Sequence, residues 1–393
     1  MTPPDLARGQ YVERVRTLAL LIEAWADQAE QERQLPQPLL AALIDAGLFR
    51  RLLPRSLDGA EVDPVTFVEV IEEVSKIDAS SAWCLCQASG CSMVAAYLRP
   101  DVAATIFGND PRALLAWGPG PDARAVAVEG GYRVTGTWSF ASGGRHATWL
   151  GGYCPIHETD GTPRRRADGA PEGCTMLFPA TSATLIDVWH VIGLKGTGSD
   201  SFAVSDLFVP HEHSVSRDDP SERRQLGPLY CFTSGNLYAS GFAGVALGIA
   251  RSTLDAFVDL AKDKTPRGFT RPLRDNAVIQ SQVAQAEARL RSARLFLMAS
   301  LDEIWREVGR VGSLTLDQRV LMRLAATYAI HQAKEVVDAA YHAAGATAIF
   351  TSRAFERRFR DLHAVTQQLQ GRQAHFETVG QFLLGLEPDA SFL

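Results

Sequence analysis

The chain has no CxxC pair, although it carries six cysteines in 393 residues. Without paired spacing they supply neither a zinc ribbon nor a dithiol centre. Cys84, Cys86, Cys91, Cys154, Cys174 and Cys231 read instead as free, mostly buried thiols of a reducing compartment. There is no excess of positive charge: 39 Lys and Arg face 45 Asp and Glu, for a formal charge of −6. Nothing therefore argues for a nucleic-acid partner. No apolar run reaches the roughly 20 residues a membrane span needs. The polar opening MTPPDLARGQYVERV is not a secretory leader, so the expected setting is cytoplasmic and away from membranes. No GxGxxG follows a strand, and there is no Walker loop, HExxH or GxSxG. Those absences exclude a Rossmann nicotinamide site, an NTPase loop, a zincin and a serine hydrolase. His211-Glu-His213 is the one close histidine pair; it has no third ligand, and no metal is expected.

What is present is ordinary globular composition, 46% hydrophobic and 21% charged, in enough chain for two or three domains. Apolar residues recur at helical spacing in 12–30, 36–48, 64–76 and 79–98. The texture changes between 113 and 213. Short alternating runs bounded by glycines predict strands at 113–117, 125–128, 131–138, 148–153, 174–178, 184–189 and 202–209. Helical spacing returns in 238–262, 276–307, 315–344 and 353–385, the last with a break expected near Gly371. The fold class is α+β: an N-terminal helical domain (1–112), a central β-barrel or sandwich domain (113–228) and a C-terminal four-helix bundle (229–393).

Within the β region, residues 131–149 (GYRVTGTWSFASGGRHATW) hold the attention. A strand runs into the small-residue loop Ala141-Ser142-Gly143-Gly144, where backbone can approach a ligand closely. The Trp138 indole beside a hydroxyl and bare amides suits a flat, heteroatom-rich ring. An ordinary hairpin with a buried Trp has the same local sequence.

The helical–β–helical order resembles the acyl-CoA dehydrogenase fold over nearly the whole chain. Gly136-Thr-Trp138-Ser-Phe-Ala-Ser142-Gly is similar to that family's flavin-contacting loop. Gly193-Leu-Lys-Gly-Thr197-Gly-Ser199 is similar to its Gly-x-Arg-Gly-Thr stretch. Phe269-Thr-Arg-Pro272-Leu273, with Gln280 beyond it, resembles the segment that reaches the flavin of a neighbouring subunit. Arg360-Asp361 opens the segment that carries the dehydrogenase base. That base is missing here: Thr366 to Gly371 reads TQQLQG, and no Asp or Glu lies between Gly227 and Thr253. A neutral amide cannot deprotonate carbon at neutral pH.

The chain more closely resembles the two-component flavin monooxygenases of the same fold, such as phenol hydroxylases and the dibenzothiophene monooxygenase. The Trp-x-Phe-x-Ser-Gly loop and Asp78-Ala-Ser80-Ser81-Ala-Trp83 carry that likeness. The resemblance implies reduced flavin, FMN or FAD, delivered by a separate flavin reductase. It implies O2 activated as a C4a-hydroperoxide, a small aromatic or heteroatom substrate, and a homotetramer. It also implies site roles. Ser142 would bond near flavin N5, Trp117 and Trp138 would wall the ring, and Thr197 would belong to the cofactor loop. Arg267, Phe269 and Gln280 would contact flavin held by another subunit, and Gly345 would match a glycine turn near it. The branch's usual histidine past the Arg-Asp pair is replaced by Gln368. His363 and His146 are therefore the other catalytic candidates. If the segment is helical, His363 and Gln368 lie about 140° apart. An acyl-CoA dehydrogenase or oxidase with FAD, or a non-catalytic flavin-binding relative, stand as alternatives.

Overall fold

The computed structural model describes residues 8–393 other than 109, 167–168, 218 and 390–392. The first seven residues of the polar opening lie outside that range, as do two residues of 161–173, a Gly-, Pro- and Arg-rich stretch that the sequence predicts as an exposed loop. The N-terminal helices are α1 (Arg8–Thr17), α2 (Ala19–Glu32), α3 (Gln37–Asp45), α4 (Pro64–Ser75), α5 (Ala79–Ser92) and α6 (Pro100–Ala103). The run expected as one helix at 12–30 is two, divided at Leu18. Asp63 caps α4, accepting from Thr66 N at 2.9 Å with Pro64 in the first turn, and Asp78 caps α5, accepting from Ser81 N at 2.7 Å. These carboxylates satisfy amides that have no partner within the helix.

Among the described residues eight strands follow: β1 (Leu115–Gly118), β2 (Arg124–Val128), β3 (Gly131–Trp138), β4 (Trp149–His157), β5 (Gly173–Pro179), β6 (Thr184–Ile186), β7 (Ser201–Pro210) and β8 (Ser214–Val215). They run in the order β6-β7-β3-β2-β4-β5-β8, with β1 beside β4. Both β1 and β2 pair with β4 in parallel, and the other pairings are antiparallel. The sheet is therefore mixed, which is the coarse form of the barrel or sandwich expected. The strand expected at 184–189 stops at Ile186, because the Val188 and Trp189 amides donate to the Asp200 carboxylate at 3.0 Å each.

The C-terminal helices are α7 (Ser234–Asp263), α8 (Ala277–Val311), α9 (Leu316–Ala344), α10 (Ala354–Thr366) and α11 (Ala374–Leu383). Capping boxes open α7 at Thr233 and α9 at Thr315. The run 353–385 is broken between Thr366 and Ala374, around Gly371. By length and composition alone α7 could cross a membrane, but 72% of its most apolar window is buried inside the protein, as in a core helix. It packs on α4 and α5 from the N-terminal region and on α9 and α10 from its own. One apolar core consequently runs from Tyr11 and Val15 through Phe67, Cys86 and Phe242 to Leu297, Val336 and Val365. The sheet keeps a second core around Trp138, Ile156, Phe178 and Phe202.

Candidate active site

The loop after β3 leaves the strand through Phe140, held at φ 58°, and turns again at Gly143, φ 75°. A left-handed backbone at a bulky residue costs about 1–3 kcal/mol and is tolerated only where its surroundings enforce it. The strain turns the Phe140 ring outward, 62% exposed and edge-on to Trp189 at 6.2 Å. The amides of this loop are not bare, as the sequence reading supposed. Ala141 N donates to Asp200 O, Ser142 N to Phe140 O, Gly143 N to Thr197 O and Gly144 N to Ala141 O, at 2.8–3.0 Å. What remains for a ligand is the Ser142 hydroxyl.

Trp138 requires a second correction. It is fully buried, its Nε1 donates to Tyr153 O at 3.2 Å, and its ring stacks on Phe202 at 5.2 Å. Glycines at 120, 136 and 152 press against the indole, and a Cβ at any of them would overlap it. An enclosed ring has no face to offer a flavin, so Trp138 is core and not a wall. Trp117 is buried in β1 with the Arg217 guanidinium 4.3 Å over its ring.

Ser142 sits in a file of polar contacts drawn from three segments. Trp83 Nε1 donates to Ser142 Oγ at 3.0 Å, Ser142 and Ser199 hydroxyls meet at 2.6 Å, and Ser199 meets Thr197 Oγ1 at 2.7 Å. Thr197 Oγ1 ends the file on Leu194 O at 2.8 Å. All four side chains are buried. Trp83 is fixed in turn by stacking on Phe242, centroid to centroid 3.9 Å. The file thus joins the Asp78–Trp83 stretch, the loop after β3 and the Gly193–Ser199 turn. In the sequence these are three separate likenesses, and neither Ser199 nor Trp83 stands out there as an individual site residue. Their signal was two hydroxyl-rich motifs in a chain where buried hydroxyls need partners.

The turn carrying Leu194 is anchored from the far side. Leu194 N donates to Asp361 Oδ1 at 2.6 Å, and a Cβ at Gly193 would collide with Arg360 O. Burial pushes the Asp361 carboxyl up to about 7; the Leu194 amide and Arg360 pull the other way, while Asp78 and Glu30 add to the rise. This carboxyl was not among the candidates. It is tied to backbone, so it does not fill the place of a base beside a ligand.

His146 follows the loop, with a Cβ at Gly143 coming within 2.8 Å of its Nε2. Its Nδ1 is sealed from solvent without a partner. Burial lowers its pKa to about 4, so at neutral pH it is an uncharged imidazole. His363 lies two residues beyond Asp361, about 200° around α10. It therefore faces α9, where Nε2 meets Asp338 Oδ1 at 2.9 Å and Asp338 Oδ2 takes Lys334 at 2.6 Å. Gln368 lies past the helix end, in extended backbone, with its side-chain oxygen accepting from Gln370 N at 2.6 Å. The assumed helical offset between 363 and 368 does not apply. Gln370, not Gln368, is the buried amide here, accepting from the buried Arg323 guanidinium.

Phe269, Arg267 and Gln280 are exposed between α7 and the start of α8. Lys264 bridges this segment to the turn at Gly345, bonding Ala344 O and, at 2.8 Å, Thr347 Oγ1. The structure brings these four candidates onto one surface. A groove of about 840 Å³ lies between α2, the 189–195 segment and α10. Its cations are matched: Arg33 by Asp187, Lys195 by Glu30, and Arg357 and Arg360 by Glu30. Burial raises the Glu30 carboxyl, but Lys195, Arg360 and Arg357 outweigh it and hold its pKa below the usual value. The groove is a salt-bridge seam. Among the described residues no group of three His, Cys, Asp or Glu could hold a metal.

The site's chemistry fits a flat, heteroatom-rich cofactor on two counts. A buried hydroxyl is held in one orientation, and a neutral imidazole, His146, lies against the loop at Gly143. Comparisons with known proteins agree. Residues 11–102 match the acyl-CoA dehydrogenase N-terminal domain and residues 240–371 its C-terminal domain, together more than half of the chain. Indole-3-acetate monooxygenase of Pseudomonas putida is 29% identical over 366 residues, covering 93% of this chain and 91% of that protein. The oxygenase component of the FADH2-dependent resorcinol hydroxylase of a Rhizobium species is 28% identical, covering 97% and 95%. A solved structure of XiaF from a Streptomyces species, in complex with FADH2 and glycerol, superposes with a TM-score of 0.89 at 24% identity, covering 98% of each chain. The chain belongs to the acyl-CoA dehydrogenase family, on the branch of the two-component flavin monooxygenases.

Proposed function

We propose that the chain is the oxygenase component of a two-component flavin monooxygenase. It takes reduced flavin from a separate reductase and oxygenates a small aromatic or heteroatom substrate with O2. The observation that carries this reading is the buried Ser142 hydroxyl, fixed by Trp83 and Ser199 in a glycine-bordered loop. Bound reduced flavin supplies the electrons that activate O2. Ser142 would bond the flavin edge at N5, and Phe140, held outward, would offer an apolar platform next to it. His146, kept neutral by burial, would stand beside the loop as an uncharged imidazole that can give or take a hydrogen bond without adding charge to the site. The resorcinol and indole-acetate relatives support a small aromatic substrate. Absence of a carboxylate in 227–253 and 366–371, with Asp361 tied to Leu194, speaks against removal of a thioester's α-proton.

In this reading the sheet closes toward a barrel and the long C-terminal helices form the bundle of a cytoplasmic homotetramer. Arg267, Phe269, Gln280 and Gly345 then reach a neighbour's flavin. The test is a single-turnover assay with photoreduced FMN or FAD, O2 and a panel of phenols, indoles and thioethers, read by mass spectrometry with ¹⁸O2. Incorporation of one labelled oxygen is the expected result. No labelled product, together with bleaching of bound FAD by an acyl-CoA, would replace this reading with dehydrogenation.

A further inference from the structure

The file of hydrogen bonds through Ser142 has a direction, and both of its ends fix it. At one end, the Trp83 indole N–H can only donate, and it reaches Ser142 Oγ at 3.0 Å. At the other, the Leu194 carbonyl can only accept, 2.8 Å from Thr197 Oγ1. Each hydroxyl between them owns one proton. Thr197 spends its proton on Leu194, so the 2.7 Å contact with Ser199 needs the Ser199 proton. Ser199 then has none for Ser142, and their 2.6 Å contact is made by the Ser142 proton. Running the file the other way would set the Thr197 and Leu194 lone pairs against each other. It would also strand buried groups at about 1–3 kcal/mol each. Ser142 accepts from Trp83, donates to Ser199, and has one lone pair left for whatever binds outside.

We infer that Ser199 and Thr197 are positioning residues that make Ser142 an obligate hydrogen-bond acceptor, so that the site selects reduced over oxidised flavin. The inference rests on the placement of Ser142 beside N5 put forward above. Oxidised flavin presents a lone pair at N5. Two-electron reduction brings a proton there and turns it into an N–H donor. An acceptor-only hydroxyl bonds the second form and repels the first.

Anaerobic titration of the intact protein with FMN and with FAD, each oxidised and then dithionite-reduced, tests this. The expected result is reduced flavin bound about tenfold tighter or more. Equivalently, the bound two-electron potential lies about 30 mV above that of free flavin for each tenfold preference. Ser199→Ala frees the Ser142 proton, so affinity for the oxidised form rises and the preference falls toward one. Thr197→Val does the same, and Thr197→Ser restores the preference. Ser142→Ala loses it by the opposite route, through weaker binding of the reduced form. Three results overturn the inference: an unchanged preference in Ser199→Ala, an equal loss for both forms, or Thr197→Ser behaving like Thr197→Val. If neither redox form binds the wild type, the placement of Ser142 and the proposed function fail together. If labelled oxygen is incorporated while the preference is unmoved by Ser199→Ala, only the inference fails.

Discussion

Replacing Asp361 with asparagine isolates the most strongly perturbed carboxyl near the hydroxyl file. Asp361 is 5% exposed, and its Oδ1 takes the Leu194 amide at 2.6 Å. Burial lifts its pKa from the ordinary 3.8 to about 7. The folded protein therefore keeps a proton that the unfolded chain has already released between about pH 4 and pH 7. Where the unfolded state binds fewer protons, stability falls as pH rises. The contribution is full near pH 4, declines through the window and is flat above about 7. At 1.36 kcal/mol per pH unit the gap corresponds to at most about 4 kcal/mol. Asparagine keeps an acceptor for Leu194 but cannot ionise. The stability of Asp361→Asn relative to wild type should grow by roughly 2–4 kcal/mol between pH 4 and pH 8. Urea unfolding at half-unit pH steps measures it. Parallel curves for the two proteins across this range would refute both the burial argument and the sign.

The remaining predictions concern other parts of the site and the sheet core. His146, lowered to about 4 from 6.5 by burial, has the opposite sign: its contribution is full above about pH 6.5 and is lost as pH falls toward 4. His146→Gln should flatten that acid limb by roughly 3 kcal/mol at 1.36 kcal/mol per pH unit, seen by comparing unfolding midpoints at pH 7.5 and pH 4.5. Gly152→Ala drives a methyl into the Trp138 ring and should cost about 1–3 kcal/mol or more as overpacking, read by denaturant unfolding with Trp fluorescence. Gln370→Ala removes an acceptor of the buried Arg323 and should cost about 2 kcal/mol. Gln368→Ala loses only a local turn contact and should cost less than half of that; equal losses would contradict the burial assignment.

Spacing and turn chemistry located nearly every long element, since those signals are local. Leu18 divides the first helix without a glycine or proline, so only the structure separates α1 from α2. The parallel pairing of β1 and β2 with β4 was not legible, because register depends on distant residues. Trp138 shows the same limit. Nothing within ten residues on both sides says that Gly120 and Gly152 will close on its ring. For Ser142 the loop itself was legible, but not the Trp83 and Ser199 contacts that orient its proton, which come from 59 and 57 residues away. His363 stood among the catalytic candidates without simply replacing the absent histidine, and its angle on α10 hands it to Asp338.

The continuous core that α7 shares with helices from both ends of the chain bears on how the protein is made. When α7 leaves the ribosome, α4 and α5 are already available to cover part of it, but α9 and α10 have not been synthesised. For that interval a 30-residue apolar helix stays half clothed, and such surfaces are what chaperones bind and what aggregates through. Nascent chains arrested before Leu316 should therefore co-sediment with ribosome-associated chaperones, whereas those released after Thr366 should not.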